Sequence, residues 1–346
     1  MIKLFEMFAG VGGASFALKR HNIPFKCVGY SEIDKYAIQC YNQNHPNIRN
    51  FGDCTKINPQ DIPDFDLLTA GFPCQAFSTA GKGLGELDTR GTLFNEIIRI
   101  AEVKKPRYML LENVKGLTTK KHKATFDKIL SELERIGYNV TWKVLNSKDY
   151  GIPQNRERVW FVCFRDIEDY NKFKWPEAFE LKIFIKDILE PNTDIKYNLS
   201  EKCIKGKIKS MYQDRKPQDI NKICSCLKIG GDVKCIYDYI TKKEPQQFDV
   251  YHFMFGEARP LSTYVPQDNQ VSRCLQCGIP KEILYNKGIF RRLTPIEYVK
   301  LMGFNIGEIK FNELSDSAIY RLMGNGWCLE PAGMILHNII KNNEEI

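Results

Sequence analysis

Residues 3–20 read KLFEMFAGVGGASFALKR, an apolar run that meets glycines and then becomes amphipathic. Lys3–Phe8 has the length and side chains of a buried strand, and Ala14–Arg20 has the spacing of a short helix. Gly10, Gly12 and Gly13 join them where the backbone must turn and let a ligand approach a helix N-terminus. Strand, glycine turn and helix in that order open a doubly wound α/β fold. Glu32 closes the next strand, Lys26–Tyr30, where such folds set an acid on ribose hydroxyls. Asp53 follows a third apolar piece, Ile48–Phe51, and is placed to read an adenine amino group. A nucleoside-bearing cofactor is expected; these residues alone leave NAD and S-adenosylmethionine both open.

The alternation continues outward from that stretch. Further strands are expected at Phe65–Thr69, Arg107–Leu111, Val140–Leu145 and Arg158–Phe164, with helices at Lys35–Asn42, Leu93–Glu102 and Thr125–Ile136. Strands alternating with helices imply a parallel sheet covered on both faces. Only NSKDYGIPQNRE separates the last two strands, too short for a helical crossover, so they should form an antiparallel hairpin. The expected fold is therefore a doubly wound, mostly parallel seven-stranded sheet with an antiparallel last strand. Beyond about residue 186 the pattern breaks into short β-prone pieces such as CIYDYI and YHFMF among polar residues. This reads as a smaller, loop-rich, β-containing domain over 187–290. Order returns at RRLTPIEYVKLMGF, where Thr294, Pro295 and Glu297 form a helix start. Residues 291–346 are expected to return to the first domain, 1–186.

Composition narrows the function. The net charge of +8 fits a polyanionic partner without demanding one. The twelve cysteines are scattered over 346 residues, and MIKLFEMF lacks the pattern of a secretory signal, so free thiols in a reducing cytoplasm are expected. No apolar run reaches the ~18 residues of a membrane span. Cys274-Leu-Gln-Cys277 has a ligand-like spacing, but Cys224-Ser-Cys226 departs from the usual knuckle, and no metal is expected.

Three further motifs carry chemistry. Cys74, in AGFPCQAFSTAG, ends the fourth strand at the carboxyl edge of the sheet, where doubly wound folds bind ligands. Glu112, in PRYMLLENV, reaches the same edge from the next strand. A thiol and a carboxyl converging beside a nucleoside site suggest covalent chemistry with proton assistance. In Gln154-Asn-Arg-Glu-Arg158, period-two alternation would send Gln154, Arg156 and Arg158 to one face as a donor array for phosphate or a base carbonyl.

Together FAGVGG, GFPCQAFS, ENV, QNRERV, RRLTPIEYVKLMGF and GNG resemble, in order and spacing, the cytosine carbon-5 DNA methyltransferases of bacterial restriction–modification systems. The resemblance spans roughly 1–165 and 291–340, and it implies the class I S-adenosylmethionine-dependent methyltransferase fold with a target-recognition domain in between. It implies Cys74 as the nucleophile that adds to carbon 6 of a flipped cytosine, and Glu112 on ring nitrogen 3 and the exocyclic amino group. Arg158 would bond the base carbonyl, and Arg156 would brace a loop or phosphate. S-adenosylmethionine would lie against Phe8, Gly10, Gly12, Gly13, Glu32, Ile33, Asp53, Pro73, Leu93, Asn325 and Gly326. Two departures stand out: Ile33 replaces a frequent adenine-stacking tryptophan, and Gly326-Trp327 replaces a small residue and valine.

A hinged lid from Gln75 to Arg90 is expected to close on double-stranded DNA, with Gln75, Ser78, Thr79, Lys82, Arg90 and Gln154 as DNA contacts. A monomer is expected, along with a cognate restriction endonuclease acting on the same site. The alternatives are a tRNA cytosine-5 methyltransferase and, in another class, a non-catalytic DNA-binding protein on the same fold.

Overall fold

The computed structural model describes residues 1–73, 92–183, 185–198, 249–254, 257–260, 272–273, 282–286 and 289–341. The first half forms β1 (Ile2–Met7), α1 (Gly13–Arg20), β2 (Phe25–Ser31), α2 (Lys35–Asn44), β3 (Leu67–Gly71), α3 (Thr92–Lys104) and β4 (Tyr108–Val114). It continues with α4 (Lys123–Arg135), β5 (Asn139–Asn146), the short β6 (Gln154–Asn155), β7 (Glu157–Phe164) and α5 (Ile167–Lys172). The main sheet has the order β2-β1-β3-β4-β7-β5. All neighbours are parallel except β7, which is antiparallel to both β4 and β5.

Adjacent residues of the central strands belong to different cores, as period-two alternation requires. Leu67, Leu110 and Val162 pack on one face with α1. Leu68, Leu111 and Phe161 pack on the other with residues of α3 and α4. Burial on both faces is why these strands read as nearly continuous apolar runs.

Two details of the expected sheet change. The sheet has six strands, because Ile48–Phe51 contributes only a single parallel bridge, Tyr30 to Asn50. Asn47 and Gly52 on either side take positive φ values of 65° and 72°. The Asn50 side chain also exchanges hydrogen bonds with the Glu32 backbone, so a ladder cannot extend. The hairpin of β5 and β7 forms as expected, but β7 inserts between β4 and β5, leaving β5 at the edge.

After α6 (Ile185–Ile188), backbone pairing defines a second antiparallel sheet. It comprises β8 (Asp249–Met254), β9 (Glu257–Pro260), β11 (Glu282–Asn286) and β12 (Ile289–Arg292), in the order β12-β11-β8-β9. The first four residues of the YHFMF piece lie in β8, whereas CIYDYI falls outside the described residues. Between them β10 (Ser272–Arg273) pairs in parallel with β6.

Three helices follow: α7 (Pro295–Leu301), α8 (Asp316–Asn325) and α9 (Leu329–Lys341). Their apolar faces, including Tyr298, Leu322 and Leu336, join the core that holds Leu4 and Leu67. Thr294 and Glu297 make the expected capping box at α7. Glu297 does more than cap. It is fully buried, accepts from both terminal nitrogens of Arg291 at 2.8 and 2.7 Å, and accepts from the Glu190 amide at 2.9 Å. One carboxylate thus ties β12 and the chain after α6 to the start of α7. Removing one partner of a buried pair strands the other charge. The Glu297→Ala variant should lose about 3–5 kcal/mol of stability in urea denaturation, whereas a loss below about 1 kcal/mol would show that Arg291 finds water instead.

Candidate active site

At the β1–α1 turn, Phe8, Gly10 and Gly12 all take positive φ, at 51°, 56° and 85°. A bulky side chain rarely adopts this region, so the strain at Phe8 marks a constrained site. Gly12 is required sterically, since a Cβ there would lie 2.5 Å from His45 Nε2. At Gly10 nothing stands within 4 Å of the Cβ position, so the backbone is open to a ligand. The strand order reverses at β1, with β2 on one side and β3 on the other, which places the turn at the switch point of the sheet. The crevice there is walled by Phe8–Val11, Thr69–Gly71 and Asn325–Trp327.

Glu32 faces this crevice from the end of β2. Its Oε2 accepts from the Gly10 amide at 2.9 Å, and its Oε1 accepts from the Ile33 and Asp34 amides at 2.8 and 2.9 Å. Those bonds fix the carboxylate against the glycine turn while leaving a lone pair on Oε2 for a ribose hydroxyl. Ile33 beside it is 73% exposed, an apolar surface at the mouth. Asp53 does not end a strand. It caps the short turn Cys54–Lys56, with Oδ1 accepting from the Thr55 amide and hydroxyl, which holds its carboxyl below the usual range. Leu93 is half-buried against the core under α3, and Pro73 is exposed at the end of β3.

Two residues passed over in the sequence, Glu6 and His45, support the glycine turn, and Trp327, noted there only as a departure, completes the crevice. Glu6 is buried beneath the turn and accepts from the Ser15 amide and hydroxyl and from the Tyr41 hydroxyl. Burial pushes its carboxyl up. His45, packed against Phe16 and Tyr41, is held neutral by burial, its pKa pushed down to about 3. Trp327 lies edge-on to Trp160, with ring centroids 5.0 Å apart. Its Cβ would meet a Cβ at Gly13 at 3.1 Å, and its Nε1 a Cβ at Gly71 at 2.8 Å. Gly13 and Gly71 are the space the indole fills. The tryptophan in GNGW is the only sequence signal, and its role needed its neighbours.

The catalytic edge is built by β3, β4 and β7. Glu112 pairs in register with Trp160, and Val114 with Arg158, so Arg158 is the diagonal neighbour of Glu112 on the same face. The Arg158 Nε lies 2.9 Å from Glu112 Oε1. Burial pushes the Glu112 carboxyl up, and the charges of Arg158 and Arg156 oppose that without cancelling it. Asn113 donates from Nδ2 to the Phe72 carbonyl at 3.1 Å, pinning the end of β3 one residue before Pro73. Cys74, Gln75, Ser78, Thr79, Lys82 and Arg90 lie outside the described residues.

The expected single face of Gln154, Arg156 and Arg158 does not form, because β6 and β7 break at Arg156. Gln154 is fully buried rather than turned to DNA, and its Nε2 donates to the Leu301 carbonyl at 2.5 Å. Arg156 is also buried and reaches the other way. It donates to the Gly324 carbonyl at 3.2 and 3.3 Å and to the Gly326 carbonyl at 2.6 Å. Arg156 therefore braces the loop that presents Asn325 and Gly326 to the crevice.

The donor set fits S-adenosylmethionine: an open glycine backbone, a positioned carboxylate, apolar Phe8 and Ile33, and an indole floor. Among the described residues, no group of His, Cys, Asp or Glu is arranged to hold a metal.

Comparison with known proteins shows the family. The family model described as C-5 cytosine-specific DNA methylase matches residues 2–341. The type II methyltransferase M1.ScrFI of Lactococcus lactis subsp. cremoris is 44% identical, over 93% of this chain and 74% of its own. M.NgoBI of Neisseria gonorrhoeae is 45% identical, over 88% of this chain and 83% of its own. Two solved structures share the fold. A DNMT2 variant of Spodoptera frugiperda has a TM-score of 0.64 at 21% identity, covering 98% of this chain and 99% of its own. The methyltransferase EhMeth of Entamoeba histolytica has a TM-score of 0.64 at 17% identity, covering 100% and 99%. The chain belongs to the C-5 cytosine-specific DNA methylase family. It is a methyltransferase that takes its methyl group from S-adenosylmethionine.

Gly71 tests the crevice. In the Gly71→Ala variant the new methyl would displace the Trp327 indole, and affinity for S-adenosylhomocysteine by calorimetry should fall at least about tenfold, ~1.4 kcal/mol. Unchanged affinity would show that the indole is not part of the cofactor floor.

Proposed function

We propose that this chain methylates carbon 5 of a flipped-out cytosine in a short duplex DNA motif, with Cys74 as nucleophile and Glu112 and Arg158 as the groups that activate the base. The observation that supports this most is the pairing of buried Glu112 with half-buried Arg158, set at the carboxyl edge of the sheet beside the cofactor crevice. Cytosine carbon 5 is a poor nucleophile until electrons are pushed into the ring. The Cys74 thiolate adds to carbon 6, forming a C–S bond and raising electron density at carbon 5. Glu112, whose carboxyl burial pushes toward the protonated form, donates to ring nitrogen 3 and stabilises the negative charge that develops. Arg158 holds Glu112 in place and offers its remaining N–H groups to the base carbonyl. S-adenosylmethionine supplies the methyl group as an electrophile. A base then takes the carbon-5 proton, and elimination returns Cys74 as thiolate. These atoms lie inside the stack of a duplex, so the cytosine must leave it.

Segment 187–290, with the β8–β12 strands, is the proposed target-recognition domain, and 1–186 with 291–346 the catalytic one. A restriction–modification role with a partner endonuclease rests on the type II relatives. A cytoplasmic monomer is proposed with it.

Bisulfite sequencing of DNA from cells expressing the protein should show protected cytosines in one short motif, and none with Cys74→Ala. Protection confined to tRNA would overturn the DNA reading. The pH dependence follows from Glu112. Its raised pKa keeps the proton up to a higher pH than an ordinary glutamate, and raising pH through that value removes the donor. Single-turnover methylation should therefore decline on the alkaline side, and Glu112→Gln should lack that limb at a lower overall rate. An identical pH profile in both proteins would remove Glu112 from this role.

A further inference from the structure

We propose that the turn between β4 and α4 is a second contact surface for duplex DNA, with Lys120 and Lys121 holding backbone phosphates beside the catalytic edge. This rests on the DNA-methyltransferase reading and extends it to residues outside the catalytic motifs. β4 ends at Val114, two residues past Glu112, and the chain then makes two short 3-10 turns, Lys115–Thr118 and Lys120–His122, before α4 begins. Residues 115–123 read KGLTTKKHK, and no acid occurs from 114 to 126. Lys115 is neutralised by Glu157 at 2.6 Å and Lys123 by Asp127 at 2.8 Å. Lys120 and Lys121 are exposed and have no ion pair among the described residues.

The turn is an ordered platform. Leu117 is buried in the core below it. The Thr118 hydroxyl donates to the Lys115 carbonyl at 2.9 Å and the Thr119 hydroxyl to the Gly116 carbonyl at 2.8 Å. The His122 amide donates to the Thr119 carbonyl at 2.9 Å. Two cations with no ion pair among the described residues are thus presented on a fixed backbone that continues from the strand carrying Glu112. Their place is unfavourable for the fold itself. They precede α4, whose first turn has no acid and whose N-cap makes no side-chain bond, so they face the positive pole of the helix. A polyanion offsets that repulsion. Two phosphates neutralised by lysines release about two counterions, which makes the contact strongly salt-dependent.

The test is duplex binding by the full-length protein, followed by fluorescence anisotropy across a salt series. For Lys120→Gln/Lys121→Gln the slope of log Kd against log salt should become shallower by about 2, and Kd at 0.15 M salt should rise about thirty-fold. The control Lys26→Gln, exposed at the opposite edge of the sheet, should match wild type. S-adenosylhomocysteine affinity by calorimetry should be unchanged in both variants, which shows that the fold is intact. A slope equal to wild type in the double variant would overturn the proposal and assign these lysines to solvent or to another partner. If wild type itself leaves duplex DNA unmethylated, the underlying reading fails instead, so the two failures are distinguishable.

Discussion

Burial pushes the Glu112 carboxyl toward its protonated form, and Arg158 supplies the cation that opposes this and holds the carboxyl in place at 2.9 Å. Much of the catalytic edge depends on how that cation arrives. Arg158 lies on β7, and β7 reaches β4 only because the hairpin from β5 folds inward and inserts antiparallel between them. A shift of one residue in that register would turn Arg158 to the opposite face. The all-apolar run from Val159 to Phe164, buried on both sides, fixes the register and with it the pair.

The cofactor side shows how distant segments share one wall. The glycine turn after β1 supplies open backbone, Glu32 closes one end, and the loop before α9 supplies the floor. Arg156 joins the two halves by donating to carbonyls on both sides of Asn325. Its neighbours Gln154 and Arg158 take up different work, one anchoring Leu301 and the other pairing with Glu112. Three donors close together in the sequence therefore serve three structural junctions, because the strand breaks between β6 and β7.

Trp327 exemplifies a substitution that is intelligible only with its surroundings. An indole is a large group for this position, and it fits because glycine stands at the two places where a Cβ would crowd it, Gly13 and Gly71. Its edge-on packing against Trp160 then links the crevice floor to the strand that carries Arg158. Glu6 and His45 lie below the turn in the same way, one gathering the first amides of α1 and the other filling the space beside Gly12.

The sequence by itself determined the alternating α/β architecture, the glycine turn, the acid at Glu32 and the hairpin of β5 and β7, while the joining of Glu112 and Arg158 was implied only by the family resemblance. These follow from periodicity, chain length between elements and motif order, all of which are local. Only the tertiary structure decided that Ile48–Phe51 is a bridge and not a strand, because the Asn50 side chain competes with the ladder for its hydrogen bonds. It likewise decided that Gln154 is buried, that Arg156 faces the C-terminal loop, that Glu6 and Trp327 line the crevice, and that His45 packs behind Gly12. In each case the outcome depends on contacts between residues far apart in the chain, some separated by more than 140 positions. Side-chain direction there is set by which buried polar group finds a partner, and a linear pattern does not carry that information.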